Sequence, residues 1–106
     1  MQRLHQASDI ANIFAKIKPQ YLDSFQVYLI KNNLEEHRIG IIIAKKHIPL
    51  AIDRNRLKRQ IRELFRKNLI TKIYKYDILV LIRAKVNLEQ KTILLKQIQD
   101  YINKLS

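Results

Sequence analysis

The chemistry-bearing residues of this chain are overwhelmingly basic, and they are concentrated. Between Lys45 and Lys67 stand Lys45, Lys46, Arg54, Arg56, Lys58, Arg59, Arg62, Arg66 and Lys67, opposed only by Asp53 and Glu63. That window carries +7 of the formal net charge of +12, and it holds five of the eight arginines. Arginine presents a planar fork of donors that suits a phosphate, so an arginine cluster is a sharper signal than the same number of lysines. The other candidate chemistries are poorly supplied. His5, His37 and His47 are too scattered to suggest a metal site and read as ordinary polar residues, and there is no cysteine. The carboxylates Asp9, Asp23, Glu35, Glu36, Asp53, Glu63, Asp77, Glu89 and Asp100 are dispersed, without the clustering a metal-dependent nuclease needs. No catalytic residue and no protein-held metal are expected.

The chain that must position these residues has 106 residues and is 47% hydrophobic, with 18 Ile and 14 Leu. That is enough to build a core and too much for a disordered basic tail. The absence of cysteine removes disulfide scaffolds and thiolate zinc sites. No apolar run approaches the roughly 20 residues needed to span a bilayer. The first residues, Met-Gln-Arg-Leu-His-Gln, lack the apolar centre of a secretory signal, so a cytoplasmic location is expected. A net charge of this size in a 12.7 kDa domain implies a polyanionic partner, with nucleic acid ahead of an anionic membrane surface.

The pattern predicts one domain over 1–106 with element order α-β-β-α-β-α. Ile10, Ile13, Phe14 and Ile17 share one face of a first helix from Ser8 to Ile17, with Ser8 as N-cap and Pro19 beyond its end. Phe25–Ile30 reads as a strand with Phe25, Val27 and Leu29 on one side and Tyr28 and Ile30 on the other. Residues 38–44 and 77–84 read as strands apolar on both faces, hence interior. Between them runs a helix over about 54–67 with Asp53 as N-cap, long enough for a crossover that would let these two strands be parallel. A last helix covers 88–105, with Leu94, Ile98, Tyr101, Ile102 and Leu105 as its buried stripe.

At about 100° per residue, Leu57, Ile61, Leu64 and Phe65 line one side of the 54–67 helix. Lys58, Arg62, Asn55, Arg66 and Arg59 form the adjacent flank, with Arg56 and Lys67 farther round. Any surface helix carries solvated charge, but ordinary ones mix signs to gain i,i+4 pairs. Here Glu63 is the one acidic residue on the flank, within reach of Arg59 and Lys67, while Lys58–Arg62 and Arg62–Arg66 are like-charged at i,i+4. An external anion is the expected compensation. A basic membrane-surface helix competes as an explanation, but so short a chain needs the apolar side as core.

The stretch Arg38-Ile-Gly-Ile-Ile-Ile-Ala-Lys-Lys46, a short loop, and then Ala51-Ile-Asp-Arg-Asn-Arg-Leu-Lys-Arg-Gln-Ile-Arg-Glu-Leu-Phe-Arg66 resembles the bacterial ribonuclease P protein component. The resemblance covers most of the chain. It implies an α/β sandwich with an unusual left-handed βαβ crossover, where general handedness would favour a right-handed one. It implies a small basic subunit that joins a catalytic RNA and assists removal of the 5′ leader from precursor tRNA, with Mg²⁺ bound mainly by the RNA and the substrate. The family's RNA-binding motif maps onto Arg54, Asn55, Arg56, Lys58, Arg59 and Arg62, with Lys45 and Lys46 matching the pair before the loop; Arg66 continues the ridge. Phe14 and Tyr28 match the aromatics that line the family's cleft for the single-stranded leader, Tyr28 being the better placed because Phe14 lies on an apolar stripe. Two departures stand out: Ile10 occupies a position that is often aromatic, and the loop His47-Ile-Pro-Leu50 lacks the usual glycine. A standalone nucleic-acid-binding module and a protein-only nuclease are the competing classes, the latter disfavoured by the dispersed carboxylates.

Overall fold

A computed structural model describes residues 1–105. The elements in chain order are β1 (Gln2–Arg3), α1 (Ala7–Lys16), β2 (Gln20–Tyr21), β3 (Phe25–Asn32), β4 (Arg38–Ile42), α2 (Ala51–Leu69), β5 (Lys75–Ile82) and α3 (Leu88–Asn103). The backbone divides into two compact units. One comprises Met1–Ile42 and Lys72–Arg83; the other comprises Ile43–Thr71 and the chain from Ala84 onward.

The first unit is a five-stranded sheet in the order β1-β4-β5-β3-β2. β4 and β5 are parallel neighbours, as the intervening helix allows, and β3 pairs antiparallel with β5. The strands read as apolar on both faces, β4 and β5, are indeed interior. Strand alternation sorts the side chains as expected: Phe25 and Val27 lie on one face and Tyr28 on the other. Tyr28 stands opposite Leu79 and joins Leu4 and Ile13 in a buried cluster, with Ile10, Ile17 and Leu81 packed around it. α1 therefore docks on this face through the stripe read from its periodicity. Phe25, Val27, Ile39, Ile78 and Val80, on the opposite face, are all buried.

Gly40 stands opposite Leu79 on β4, where the chain leaving β1 crosses closely. A Cβ at residue 40 would lie 2.5 Å from the carbonyl oxygen of Leu4 and 3.1 Å from Leu79 Cδ1, so close backbone approach accounts for the chain's one glycine. β1 and β2 have two residues each, too short for any periodic signal.

In the second unit, α2 and α3 pack together, and Asn68 Nδ2 donates to Leu64 O at 2.7 Å and to Gln99 Oε1 at 3.2 Å. Two expected N-caps are not caps. α1 begins at Ala7 with Gln6 as its cap residue and no side-chain cap, so Ser8 is inside the helix. α2 begins at Ala51 with Leu50 as its cap residue, which places Asp53 in the first turn, where it still complements the helix dipole. The chain is still extended at Leu50, with φ −85° and ψ 128°, and the Leu50 carbonyl accepts the Arg54 N–H at 3.1 Å, so the first helical turn closes across Asp53 and leaves that residue inside the helix. α2 also runs on to Leu69, another fully buried position of its stripe. α3 ends at Asn103, not Leu105, and opens with a capping box. Its parts are Asn87 Oδ1 accepting from Gln90 N–H at 2.9 Å and Gln90 Oε1 accepting from Asn87 N–H at 3.0 Å. Among the described residues no helix is long and apolar enough to cross a membrane.

Candidate nucleic-acid interface

The basic residues are set out by α2 and the turn before it. Leu57, Ile61, Phe65 and Leu69 recur every four residues and are all buried, which fixes the helix phase. Leu64, expected on this stripe, is only half-buried. Asn55, Arg56, Arg59, Arg66 and Lys67 are exposed, and Lys58 and Arg62 are half-buried along the flank. Lys45 and Lys46 are exposed on the Ala44–Ile48 turn. The nine basic candidates thus stay at the surface of one unit, but they are not equivalent.

Arg54 is partly committed to the loop. Its Nη1 donates to Ile48 O and to Pro49 O, both at 2.8 Å, leaving Nη2 and Nε as its available donors. It pins the glycine-free loop to the start of the helix it belongs to. Arg56 points away from the ridge, into a cleft of about 220 Å³ that it shares with Asp53, Leu57, Lys91 and the Asn87–Leu88 start of α3. Arg66 is paired within the helix: its Nε donates to Glu63 Oε2 at 3.0 Å, and its Nη2 donates to Glu63 Oε1. The sequence puts Glu63 within reach of Arg59 and Lys67; the i,i+3 spacing and the planar fork give it to Arg66 instead. The hydrogen bonds from Arg66 and its charge, aided by Lys67, hold the Glu63 carboxyl below the usual carboxylate range.

The aromatic pair belongs to the other unit. Phe14 and Tyr28 meet edge-to-face, with centroids 5.3 Å apart and planes at 81°. The order of exposure is the reverse of the expectation. Tyr28 retains 9% of its surface because α1 lies over it, whereas Phe14, on the rim of the stripe, keeps 44%. Phe14 is the ring open to a ligand, and Tyr28 backs it. Ile10 is absorbed into the cluster beneath α1.

Arg38 forms a two-point pair with Asp77, Nε to Oδ1 at 2.8 Å and Nη2 to Oδ2 at 2.6 Å. Asn32 Nδ2 donates to the same Oδ1 at 2.8 Å, and Arg38 Nη1 reaches Asp9 of α1 at 3.3 Å. Burial pushes the Asp77 carboxyl up, but the hydrogen bonds from Arg38 and Asn32, with the Arg38 charge, outweigh it and hold the group below the usual range. This network tethers the helix that carries Phe14. Its sequence trace was slight: a polar residue at the start of each of two apolar strands. His37 is likewise structural; buried and stacked on Tyr76, it accepts the Tyr76 N–H at Nδ1 at 3.0 Å.

The family model described as Ribonuclease P matches residues 1–106. The chain is 38% identical over 91 residues to the ribonuclease P protein component of Legionella pneumophila (strain Corby), covering 86% of this chain and 75% of that one. With the component from Nitrosococcus oceani it shares 40% identity over 67 residues, 63% of this chain. The matched segment spans only 56% of that relative's own length, and 38% of the matched component from Pseudomonas aeruginosa. Among solved structures, the RNase P protein from Thermotoga maritima superposes with a TM-score of 0.76 at 27% identity, covering 100% of this chain and 99% of that one. The Staphylococcus aureus RNase P protein does so with a TM-score of 0.74 at 31% identity, covering 97% and 90%. The motif read around Arg54-Asn55-Arg56, the full-length family match and the shared α/β fold agree, and the chain belongs to the ribonuclease P protein family.

Proposed function

We propose that this chain is the protein subunit of a ribonuclease P holoenzyme. It binds the catalytic RNA and the 5′ leader of precursor tRNA, and it assists the endonucleolytic cut that leaves the mature 5′ end. The observation that carries the reading is the single-signed surface of α2 and its preceding turn. Lys45, Lys46, Asn55, Lys58, Arg59 and Arg62 lie along it, and of the segment's two carboxylates Asp53 sits in the first turn of α2 and Glu63 is engaged by Arg66. A helix of this kind presents donors to successive phosphates, and counterion release makes such binding steeply salt-dependent. Arg54 supports the same surface by fixing its loop, and Arg56 adds a contact from the side facing Lys91. Phe14, backed by Tyr28, supplies the ring on which an unpaired leader base stacks without sequence preference.

In this reading Mg²⁺ is held by the RNA subunit and the substrate, and the holoenzyme works in the cytoplasm. Four of the protein's nine side-chain carboxylates are engaged in its own structure: Asp9 and Asp77 with Arg38, Glu63 with Arg66, and Glu36 3.5 Å from the Met1 amino group. Precursor-tRNA cleavage by the protein alone, the cognate RNA alone and both together tests the proposal. Activity that needs the RNA, and improves with the protein at moderate salt and Mg²⁺, is the expected result. Cleavage by the protein alone would mean a protein nuclease, and indifference of the RNA to the protein would leave a standalone RNA-binding module.

A further inference from the structure

Beside the basic ridge, the helical unit holds the cleft of about 220 Å³ between the starts of α2 and α3. Its floor is apolar and tied in place. Ile48 and Leu57 are buried, Val86 N–H donates to His47 O at 3.4 Å, and Arg54 Nη1 donates to Ile48 O at 2.8 Å, so the loop and the approach to α3 are held together. Three charges line the cleft: Asp53 and Arg56 from α2, and Lys91 from α3. None of them forms an ion pair among the described residues, although opposite signs share the space. The spacing does not forbid one, because Glu63 and Arg66 join at the same i,i+3 interval in the same helix. Both oxygens of Asp53 therefore stay available. Asn87, also on the wall, spends Oδ1 on the Gln90 N–H and keeps the two donors of its Nδ2. Pockets for drug-sized ligands measure about 300–1,000 Å³, so an occupant here is smaller, of the size of one heterocyclic base. A ligand that satisfies every group brings an anion for Arg56 and Lys91, a flat ring for the floor and adjacent donors for Asp53. Guanine meets the last demand: its N1–H and N2–H stand side by side to fit a carboxylate, and its O6 accepts from an amide. Adenine and cytosine offer a single amino group on that edge, and uracil a single N–H.

We propose that this cleft binds a single guanosine nucleotide, with the base over Ile48 and Leu57, its N1–H and N2–H on Asp53, and its phosphate between Arg56 and Lys91. The chemistry is the same for an unpaired guanosine of the RNA subunit and for a free guanosine nucleotide; the first source rests on the reading of α2 as the RNA-binding surface. One arm of the test titrates the full chain with GMP, AMP, CMP and UMP and follows the amide resonances of α2 and α3. GMP is expected to bind about tenfold tighter than the other three, within the range for one two-point base contact. Asp53→Asn should erase that preference and still bind nucleotides through the phosphate, whereas Lys91→Ala should weaken all four alike and keep the preference. Melting curves identify any folding defect, and the wild-type preference is a test that needs no variant. The second arm separates the sources by measuring affinity for the RNA subunit with and without GMP. For a guanosine of the RNA, GMP competes, and Asp53→Asn weakens the complex although it removes a negative charge, which general attraction to phosphate would reward. For a free nucleotide, Asp53→Asn does not weaken assembly and GMP binds the assembled holoenzyme. The combined Lys58, Arg59 and Arg62 to Ala variant is the reference, expected to weaken RNA binding and keep the guanine preference. If it weakens RNA binding while the wild-type chain binds the four nucleotides equally or not at all, the cleft assignment is wrong and the RNA-binding surface stands. If it leaves RNA binding unchanged while GMP is preferred, the cleft stands and the reading of α2 falls. A guanine preference that survives Asp53→Asn would also overturn the proposal.

Discussion

Arg38 in the sheet unit and Arg59 in the helical unit are the same residue in opposite circumstances. Arg38 lies among acceptors: Asp77 takes two of its donors and Asp9 a third, so its charge is matched inside the protein. Arg59 lies exposed on α2, where the carboxylate at i,i+4, Glu63, is turned to Arg66. The first arginine builds structure and the second is left for a partner. What separates them is the supply of internal acceptors, which follows from the fold and not from the residue type. In the proposed function the two regions also divide the work of recognition. The basic helix offers charge to any phosphate chain, whereas the sheet unit offers a ring whose exposure is set by one helix lying over its neighbour.

The largest expected effect sharpens the structural side of this contrast. Phe65 is wholly buried on the α2 stripe, so Phe65→Ala should destabilise by about 3–5 kcal/mol in denaturant titration. A wild-type midpoint would mean that the basic flank and the buried stripe are wrongly phased.

Removal of Asp77 tests whether Arg38 is as internal as it looks. Asp77→Ala should cost about 2 kcal/mol, less than for a fully buried pair because the Arg38 side chain keeps 22% exposure. The pH dependence has a definite sign. The folded-state pKa of Asp77 is depressed, so its contribution is present above the ordinary aspartate value, near about 4, and is lost as pH falls through the lower folded-state value. Asp77→Asn should therefore flatten the acid limb of the stability curve. An unchanged acid limb would remove Asp77 from the network's energetics.

The aromatic pair is next. Phe14→Ala should leave the melting temperature close to wild type and weaken precursor-tRNA binding by the holoenzyme by about 1–3 kcal/mol, with mature tRNA little affected. Tyr28→Ala should lower the melting temperature as well, because Tyr28 is core. Equal melting losses for the two would contradict the assigned exposures.

The combined Lys58, Arg59 and Arg62 to Ala variant should keep the fold and lower the salt slope of RNA binding by about 2–3, from roughly 0.7–0.9 per phosphate contact. An unchanged slope would dissociate the ridge from RNA. The smallest effect is a difference between neighbours. Arg66→Ala should reduce RNA affinity less than Arg59→Ala, because Arg66 already serves Glu63. The reverse ranking would show that the intrahelical pair opens on binding.

The sequence by itself determined the identities and the phases. Periods of about 3.6 and 2 placed α1, α2, α3 and the three long strands within a few residues, because burial of Ile, Leu and Phe on one side leaves a regular trace. The +7 segment and the Arg54-Asn55-Arg56 motif likewise pointed to a phosphate-binding helix and to the right family. Tertiary structure decided everything that depends on who stands opposite whom. The pairing of β1 with β4, the tether from Arg38 to Asp77 and Asp9, and the buried Gln26 beneath Arg83 join residues 29 to 57 positions apart or strands of two residues. It also decided that Phe14, not Tyr28, is the open ring. Alternation puts Tyr28 on the face away from Phe25, but only the docking of α1 determines whether that face meets solvent or a helix. A sequence carries the direction of a side chain through its local period; its exposure is set by atoms that arrive from elsewhere in the chain.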